Sequence, residues 1–225
     1  MEIKNSSSQG KETKIVNHYS DSIIISYSKT EEACLFHIIS ELIFFYATAL
    51  QRNFLLRGAI ICDKLYHDEN IIFGPALVKA YEMEKNLAIY PRIILDKNTL
   101  INGKKDIIKR ADKPDHLKSI ENLISIDFDG LYYINFFDGL NYIFGDKDSI
   151  LIFFKALRQI IIDMEGSIKK DISIYSKYLW LKTNYNIILK KYKNKYCNDK
   201  HRTESPELNK YLNETKEINQ GDKNG

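Results

Sequence analysis

The sequence predicts an α+β fold in which helices cover one face of a mostly antiparallel sheet. Apolar runs joined by short polar turns occur at residues 14–27 and 123–137, and each pair is typical of a β-hairpin. Other, longer segments carry apolar residues every three or four positions, which indicates amphipathic helices. With 225 residues, of which 44% are hydrophobic, the chain suits one domain with appendages rather than two complete domains.

The first element is a hairpin with an aspartate at its tip. β-Branched apolar residues flank a Tyr-Ser-Asp-Ser turn, so we expect strands at residues 14–19 and 22–27. The carboxylate of Asp21 would be held by strands on both sides and be free at its end, which suits a hard cation. Turn chemistry alone explains an aspartate at this position about as well.

A long helix is predicted after this hairpin. Ser28 and Glu31 match a capping box, so the helix is expected to begin there and to end near Asn53. The Tyr46 hydroxyl would need a hydrogen-bond partner on its buried face. That face is predicted to contain Leu35, Ile38, Ile39, Leu42, Phe45, Tyr46 and Ala49.

The next apolar runs predict a strand pair, a helix and a further strand. The pair is expected at residues 55–62 and 71–73, on either side of a polar loop. A second helix should run from Pro75 to about Ala88, because proline is favoured in a first helical turn. Residues 92–95 then read as a strand.

The second half of the chain predicts one hairpin followed by helices. No element is predicted for the Lys- and Asp-rich segment 97–118. Strands are expected at 123–128 and 131–137, because an Asp-Gly dipeptide between apolar runs is a strong hairpin signal. The segment 148–196 reads as two helices with a break around 166–171.

These elements divide the chain into four parts. Residues 1–13 are polar and expected to be disordered. Residues 14–147 form the α+β domain, and 148–196 form a helical extension. Residues 197–225 read as a polar tail, since they show no apolar periodicity.

Composition argues against several partners. The net charge is only +3, from 33 basic and 30 acidic residues, so no strong field attracts nucleic acid. The three cysteines lack metal-ligand spacing and suit a reducing cytoplasm, with Cys34 and Cys62 as inert core residues. No secretory signal pattern opens the chain. The two longest apolar segments contain charged residues, so neither is expected to span a membrane.

Several local patterns are better explained by structure than by chemistry. His67-Asp68-Glu69 reads as a polar hairpin loop, because adjacent side chains point in different directions. Asp127-x-Asp129-Gly130 is similar to the start of a calcium loop, but its glycine comes two positions early and no glutamate closes it. The basic stretch 190–195 could contact phosphate, although a solvated helix end is the simpler interpretation. No P-loop or dinucleotide-binding motif occurs.

The ordered motifs of the first half resemble those of class III nucleotidyl cyclases, specifically the bacterial cyclases that make cyclic pyrimidine nucleotides in anti-phage signalling. They are the Tyr19-Ser20-Asp21 turn, a long helix, a Leu-Leu-Arg-Gly-Ala-Ile strand at 55–60, a helix start at Gly74-Pro75-Ala76 and an acidic helix end. The resemblance covers residues 14–96 and extends more loosely to 129–137 and 177–181. It implies a ferredoxin-like cyclase palm.

The resemblance also implies a reaction and a site. In this family the 3′-hydroxyl of a nucleoside triphosphate, here UTP or CTP, attacks its own α-phosphorus in a homodimer. Asp21 would bind Mg²⁺ or Mn²⁺, while Asn17 and Tyr19, which share its strand face, could contact the base. Arg57 and Lys64 could contact phosphates. Packing or surface ion pairs remain the simpler alternative for these last four residues.

The chain also departs from the cyclase pattern. Such enzymes hold two metal ions between two aspartates, and the opening strand with the first aspartate has no counterpart in residues 1–13. The transition-state Asn and Arg of purine cyclases would fall near Val78 and Glu82. Either the chain starts after that strand, or it is a catalytically inactive module that binds a nucleotide or a partner.

Overall fold

The computed structural model describes residues 13–109, 114–144, 146–167, 172–197 and 205–219. Its mixture of helices and small, mostly antiparallel sheets confirms the α+β class. Of the segment expected to be disordered, residues 1–12 lie outside the described ranges. The elements in chain order are β1 (Ile15–Tyr19), β2 (Ser22–Ser26), α1 (Cys34–Leu50), β3 (Gly58–Ile60), β4 (Tyr66–His67), β5 (Ile72–Phe73), α2 (Pro75–Asn86), β6 (Ile93–Leu95), α3 (Lys97–Lys109), α4 (Pro114–Leu123), β7 (Ile124–Ile126), β8 (Tyr132–Ile134), α5 (Phe136–Ile143), α6 (Lys147–Ser167), α7 (Ile172–Tyr196) and α8 (Pro206–Glu214).

The main sheet has four strands in the order β3-β6-β8-β7. β3 and β6 are parallel, whereas β8 is antiparallel to both β6 and β7. Parallel neighbours require a crossover connection, and α2 lies in the segment that joins β3 to β6. The expected pairing of residues 55–62 with 71–73 is therefore wrong. Instead β5 pairs with β4, and these two short strands form a separate hairpin.

The central strand β6 is covered on both faces. Successive strand residues point to opposite faces, and Ile93, Ile94 and Leu95 are all buried. The expectation that helices cover one face only therefore does not hold at β6. A continuous apolar run is typical of a strand with a parallel neighbour, because such strands are buried on both sides.

Helix α1 lies at the centre of the hydrophobic core, where it contacts α3, α4, α5 and α6. Its predicted face is largely buried, together with Ile43 and Leu50. Tyr46 is 1% exposed and finds the partner it requires, since its hydroxyl donates to the Pro91 carbonyl at 2.7 Å. Across the described ranges, no helix combines the length and the apolar character needed to cross a bilayer.

The start of α1 differs from the predicted capping box. The helix begins at Cys34, and the preceding Ala33 has a positive φ of 52° and no side-chain cap. Ser28 instead accepts from the Thr30 N–H at 3.2 Å, while the Glu31 carboxylate accepts from the backbone N–H of Thr13 at 3.1 Å. These side chains stabilise the turn before the helix, so they are not available to cap it.

The second half contains both predicted and additional helices. β7, β8, α6 and α7 confirm the expected hairpin and the two long helices. The second strand is shorter than the expected 131–137, because Asn135 caps helix α5 and residues 136–137 are helical. Two further helices, α3 and α4, occupy most of the charged segment 97–118, for which we predict no element. Helix α3 buries Thr99, Leu100 and Ile107, and α4 buries Ile120 and Leu123. Charged and polar residues fill most of the other positions, so the segment reads as polar in the sequence.

Part of the expected polar tail is a packed helix. Ser205 caps α8 by accepting from the Leu208 N–H at 3.3 Å, and Pro206 occupies the first turn. Leu208 and Leu212 are fully buried where α8 contacts α6 and α7. Two leucines in a nine-residue helix give too short a periodic signal to stand out from polar surroundings.

Candidate functional site

The tip of the β1–β2 hairpin presents Asp21 to solvent. Tyr19 pairs with Ser22, which leaves Ser20 and Asp21 as a two-residue turn. Ser20 has a φ of 53°, as the first position of such hairpin turns requires. The Asp21 carboxylate is exposed, and its one described contact is the Ser22 hydroxyl at 3.4 Å from Oδ1. The hairpin prediction is confirmed, and the carboxylate is accessible to a cation.

One face of this hairpin contacts the β4–β5 hairpin. Asn17 is 9% exposed, and its side-chain amide donates to the Asp68 carbonyl at 3.1 Å and to the Tyr19 hydroxyl at 3.2 Å. On β2, the Ser26 hydroxyl lies 2.7 Å from His67 Nδ1. The amide of Asn17 is therefore used within the protein, whereas Tyr19 remains 43% exposed. The opposite face of the hairpin exposes Val16, His18 and Ile23.

The base of the hairpin is tied to α1 by Glu41. Lys14, just before β1, forms an ion pair with one carboxylate oxygen, and the Tyr27 hydroxyl, just after β2, donates to the other. Burial acts to raise the pKa of Glu41, but these two hydrogen bonds outweigh it and the pKa lies below its ordinary value. Both strands are thus attached to the helix at one carboxylate.

Arg57 and Lys64 do not join Asp21. Arg57 forms an ion pair with Glu84 on α2 at 2.7 Å, which matches the simpler of the two interpretations. Lys64 is exposed and its backbone carbonyl accepts from the Ala76 N–H at 3.1 Å. Within the described residues, neither side chain forms a hydrogen bond or ion pair with the β1–β2 hairpin.

The Gly-Pro-Ala start of α2 has a steric cause. Gly74 has a φ of 142°, and a Cβ placed there would lie 2.7 Å from the Lys64 carbonyl oxygen. Glycine is therefore required for this close approach. Val78, one turn into the helix, is 55% exposed, and Glu82 is also exposed.

A cleft of about 720 Å³ lies at the carboxyl ends of the parallel strands β3 and β6. Asp63 follows β3 and pairs with Lys79, and the hydrogen bond from Lys79 holds the pKa of Asp63 below its usual value. Asp96 follows β6 and accepts from the Thr99 N–H at 3.0 Å. Sequence reasoning did not connect these aspartates. The available signal is that each directly follows an apolar run of the sequence, near the sheet edge where ligands commonly bind.

The Asp127-x-Asp129 pattern forms an ion-pair cluster with a buried arginine. Arg92 is 0% exposed, and its guanidinium pairs with both Asp127 and Asp129. The indole N–H of Trp180 donates to Asp127 at 2.7 Å, and the Tyr90 ring centroid lies 5.2 Å from the guanidinium carbon. The two carboxylates share one guanidinium, and Asp127 also accepts from the indole, so their described partners are groups of the fold.

The His67-Asp68-Glu69 stretch belongs to the β4–β5 hairpin, as expected. Asp68 closes the turn, because Oδ1 accepts from the N–H groups of Asn70 and Ile71 at 2.8 and 2.7 Å.

The interpretation of Cys34 and Cys62 as core residues is wrong, since Cys34 is half-buried and Cys62 is exposed. Both line a smaller cavity of about 170 Å³, where burial raises the pKa of the Cys34 thiol.

A metal ion at Asp21 would need ligands from outside these residues. In the described part of the chain, no three His, Cys, Asp or Glu side chains come together as a metal site. Mg²⁺ is often held by one or two carboxylates together with substrate phosphates and water, and an exposed hairpin carboxylate fits that role.

Comparison of the chain with protein-family models, curated proteins and solved structures finds no match.

Proposed function

We propose that this chain is a cyclase palm that converts UTP or CTP to the 3′,5′-cyclic nucleotide and pyrophosphate. The observation that carries the proposal is the exposed Asp21 carboxylate at the tip of a hairpin that is tied down at two levels. The order of parts after it supports the same function: a long helix, the Arg-Gly-Ala-Ile strand, and the Gly74-Pro75 helix start.

The proposed chemistry asks little of the side chains beyond position and charge. The 3′-oxygen forms a bond to the α-phosphorus, the bond from that phosphorus to pyrophosphate breaks, and the hydroxyl proton is lost to solvent. A bound Mg²⁺ or Mn²⁺ would neutralise the charge that develops on the phosphate oxygens. Asp21 would hold this ion, and the exposed Tyr19 ring beside it offers a stacking face for a base.

A homodimer would complete the site. Val16 and Ile23 are 38% and 41% exposed on the outer face of the hairpin, and apolar side chains there suit burial against a second copy. We place this dimer in the cytoplasm and in antiviral second-messenger signalling, on the basis of cysteine usage and the resemblance respectively.

The test is product analysis. The protein is incubated with Mn²⁺ and each of the four nucleoside triphosphates, and products are identified by mass spectrometry. We expect cyclic UMP or cyclic CMP together with pyrophosphate. Cyclic AMP or cyclic GMP as the sole product would overturn the pyrimidine assignment.

A second candidate function is a non-catalytic module that binds a nucleotide or partner. Two observations favour it: in the described residues Asp21 belongs to no group of three metal-ligating side chains, and the cleft beside α2 has the volume of a small-molecule site. A protein that binds a triphosphate in calorimetry, but releases no pyrophosphate, would fit this candidate and exclude the cyclase.

A further inference from the structure

Asn17 is unusual among the residues of β1. Its neighbours along the strand are exposed or half-buried, whereas Asn17 is only 9% exposed. A polar side chain that is buried on a surface strand is expected to have a specific hydrogen-bond partner. Here the partners are the Asp68 carbonyl and the Tyr19 hydroxyl.

The Asp68 carbonyl is a rigid acceptor. The Asp68 side chain accepts from two backbone N–H groups of its own turn and from the Tyr66 hydroxyl at 2.8 Å. These hydrogen bonds stabilise the turn independently of Asn17. A second polar contact, between Ser26 and His67, joins the same two hairpins on the other strand.

The region beyond Asn17 lacks comparable support. Among the described residues 18–24, the side-chain hydrogen bonds are the Asn17–Tyr19 contact and the weak Ser22–Asp21 contact, and neither reaches another element. In the described residues, the side-chain hydrogen bonds that join the hairpin to other elements and lie nearest its tip are therefore those of Asn17 and Ser26. At roughly 3.3 Å per strand residue, a small tilt at Asn17 displaces a carboxylate four residues away.

We propose that Asn17 is a positioning residue, whose amide sets the Asp21 turn against the β4–β5 hairpin. This role replaces the contact with a nucleotide base that the sequence suggested. Its consequence for catalysis rests on the proposed function, but its consequence for the hairpin does not. Misplacing a reacting group by about 1 Å can cost on the order of 10²-fold in rate, so loss of this anchor should lower kcat rather than weaken substrate binding.

The experiment compares Asn17→Leu with Asn98→Leu. Leucine has nearly the shape of asparagine but cannot donate, and Asn98 is an exposed residue outside the hairpin with no described hydrogen bond. Hydrogen exchange followed by mass spectrometry should show about tenfold faster exchange in peptides covering 15–26 of Asn17→Leu, with β6 unchanged. Ser26→Ala should show a smaller change in the same peptides, and Asn98→Leu none.

Kinetics and exchange separate the two levels of the proposal. With an active protein, Asn17→Leu should lower kcat at nearly constant KM for the triphosphate. A raised KM with unchanged kcat would identify a direct substrate contact and overturn the positioning role. If the wild-type chain has no turnover, the proposed function fails, while exchange still decides the role of Asn17: unchanged exchange at 15–26 contradicts it.

Discussion

At the scale of single residues, Arg92 shows most clearly how sequence and structure diverge. Its sequence neighbours are apolar, and only the structure brings Asp127 and Asp129 to it from more than 30 positions away. The two aspartates form a local pattern, so sequence reasoning compared them with a calcium loop. By contrast, the turn position of Asp21 and the buried position of Tyr46 could be predicted from the sequence, because a turn and a helix face are local features.

The Arg92 cluster should be important for stability. Replacing Arg92 with methionine leaves two carboxylates without their buried counter-charge, which typically costs about 3–5 kcal/mol of unfolding free energy. Urea denaturation at neutral pH measures this loss. Arg52→Met is the matched control, since Arg52 is exposed and should change stability by less than about 0.5 kcal/mol. Equal effects of the two variants would contradict the assignment.

His67 should make stability depend on pH. Burial lowers the pKa of His67 below its ordinary value of 6.5, although nearby Asp68 acts to raise it. The unfolded chain therefore takes up this proton first, so the stability contribution is complete above pH 6.5 and is lost as the pH falls through the folded-state pKa.

His67→Asn removes this titration while keeping a polar group near Ser26. Urea midpoints at pH 7.5 and 5.5 should differ less in this variant than in the wild type. An unchanged difference would show that other groups cause the pH dependence.

At the scale of secondary-structure elements, the local signals were sufficient for hairpins and long helices but not for pairing partners. Turn sequences identified the hairpins β1–β2 and β7–β8, and helical periodicity identified α1, α2, α6 and α7. The parallel pairing of β3 with β6 joins segments about 35 residues apart, and no turn sequence encodes it. The sequence does not predict α8, because its few apolar residues are buried only by tertiary contact with α6 and α7.

The docking of α8 can be tested at Leu212. Leu212 is fully buried, so Leu212→Ala should cost about 2–5 kcal/mol of unfolding free energy through lost burial and the resulting cavity. Denaturant unfolding gives this value. Lys210→Ala, on the exposed side of the same helix, should lie within about 0.5 kcal/mol of the wild type. If the leucine variant is equally mild, α8 does not belong to the core.

At the scale of the whole molecule, the α+β class followed from the order of elements, whereas the arrangement around the main sheet did not. Apolar periodicity shows that a segment has a buried face, but it does not show which element covers that face. Val16 and Ile23 are apolar and exposed, and the sequence does not show whether a second chain covers them.

We expect a homodimer that includes the β1–β2 hairpin. Size-exclusion chromatography with light scattering at micromolar concentration should give about twice the chain mass of 26.3 kDa. Ile23→Glu places a charge on the outer face of the hairpin and should shift the protein to monomer. Ile187→Glu, at a 60% exposed position on α7, is the control and should leave the mass unchanged. A monomeric wild type would count against a shared site.

The cyclase proposal depends most directly on Asp21. Asn suits the same turns, so Asp21→Asn should keep the melting temperature within a few degrees of the wild type. Removing the charge should abolish the protein-dependent heat of Mn²⁺ binding in calorimetry with a non-hydrolysable triphosphate, after the heat of Mn²⁺ binding to the triphosphate alone is subtracted. It should also lower turnover by on the order of 10²–10³-fold, as is typical when comparable electrostatic stabilisation is lost. Asp148→Asn, at another exposed carboxylate, should change neither Mn²⁺ binding nor turnover. Equal Mn²⁺ binding and equal turnover in wild type and Asp21→Asn would show that Asp21 is a turn residue only, and the cyclase proposal would fail.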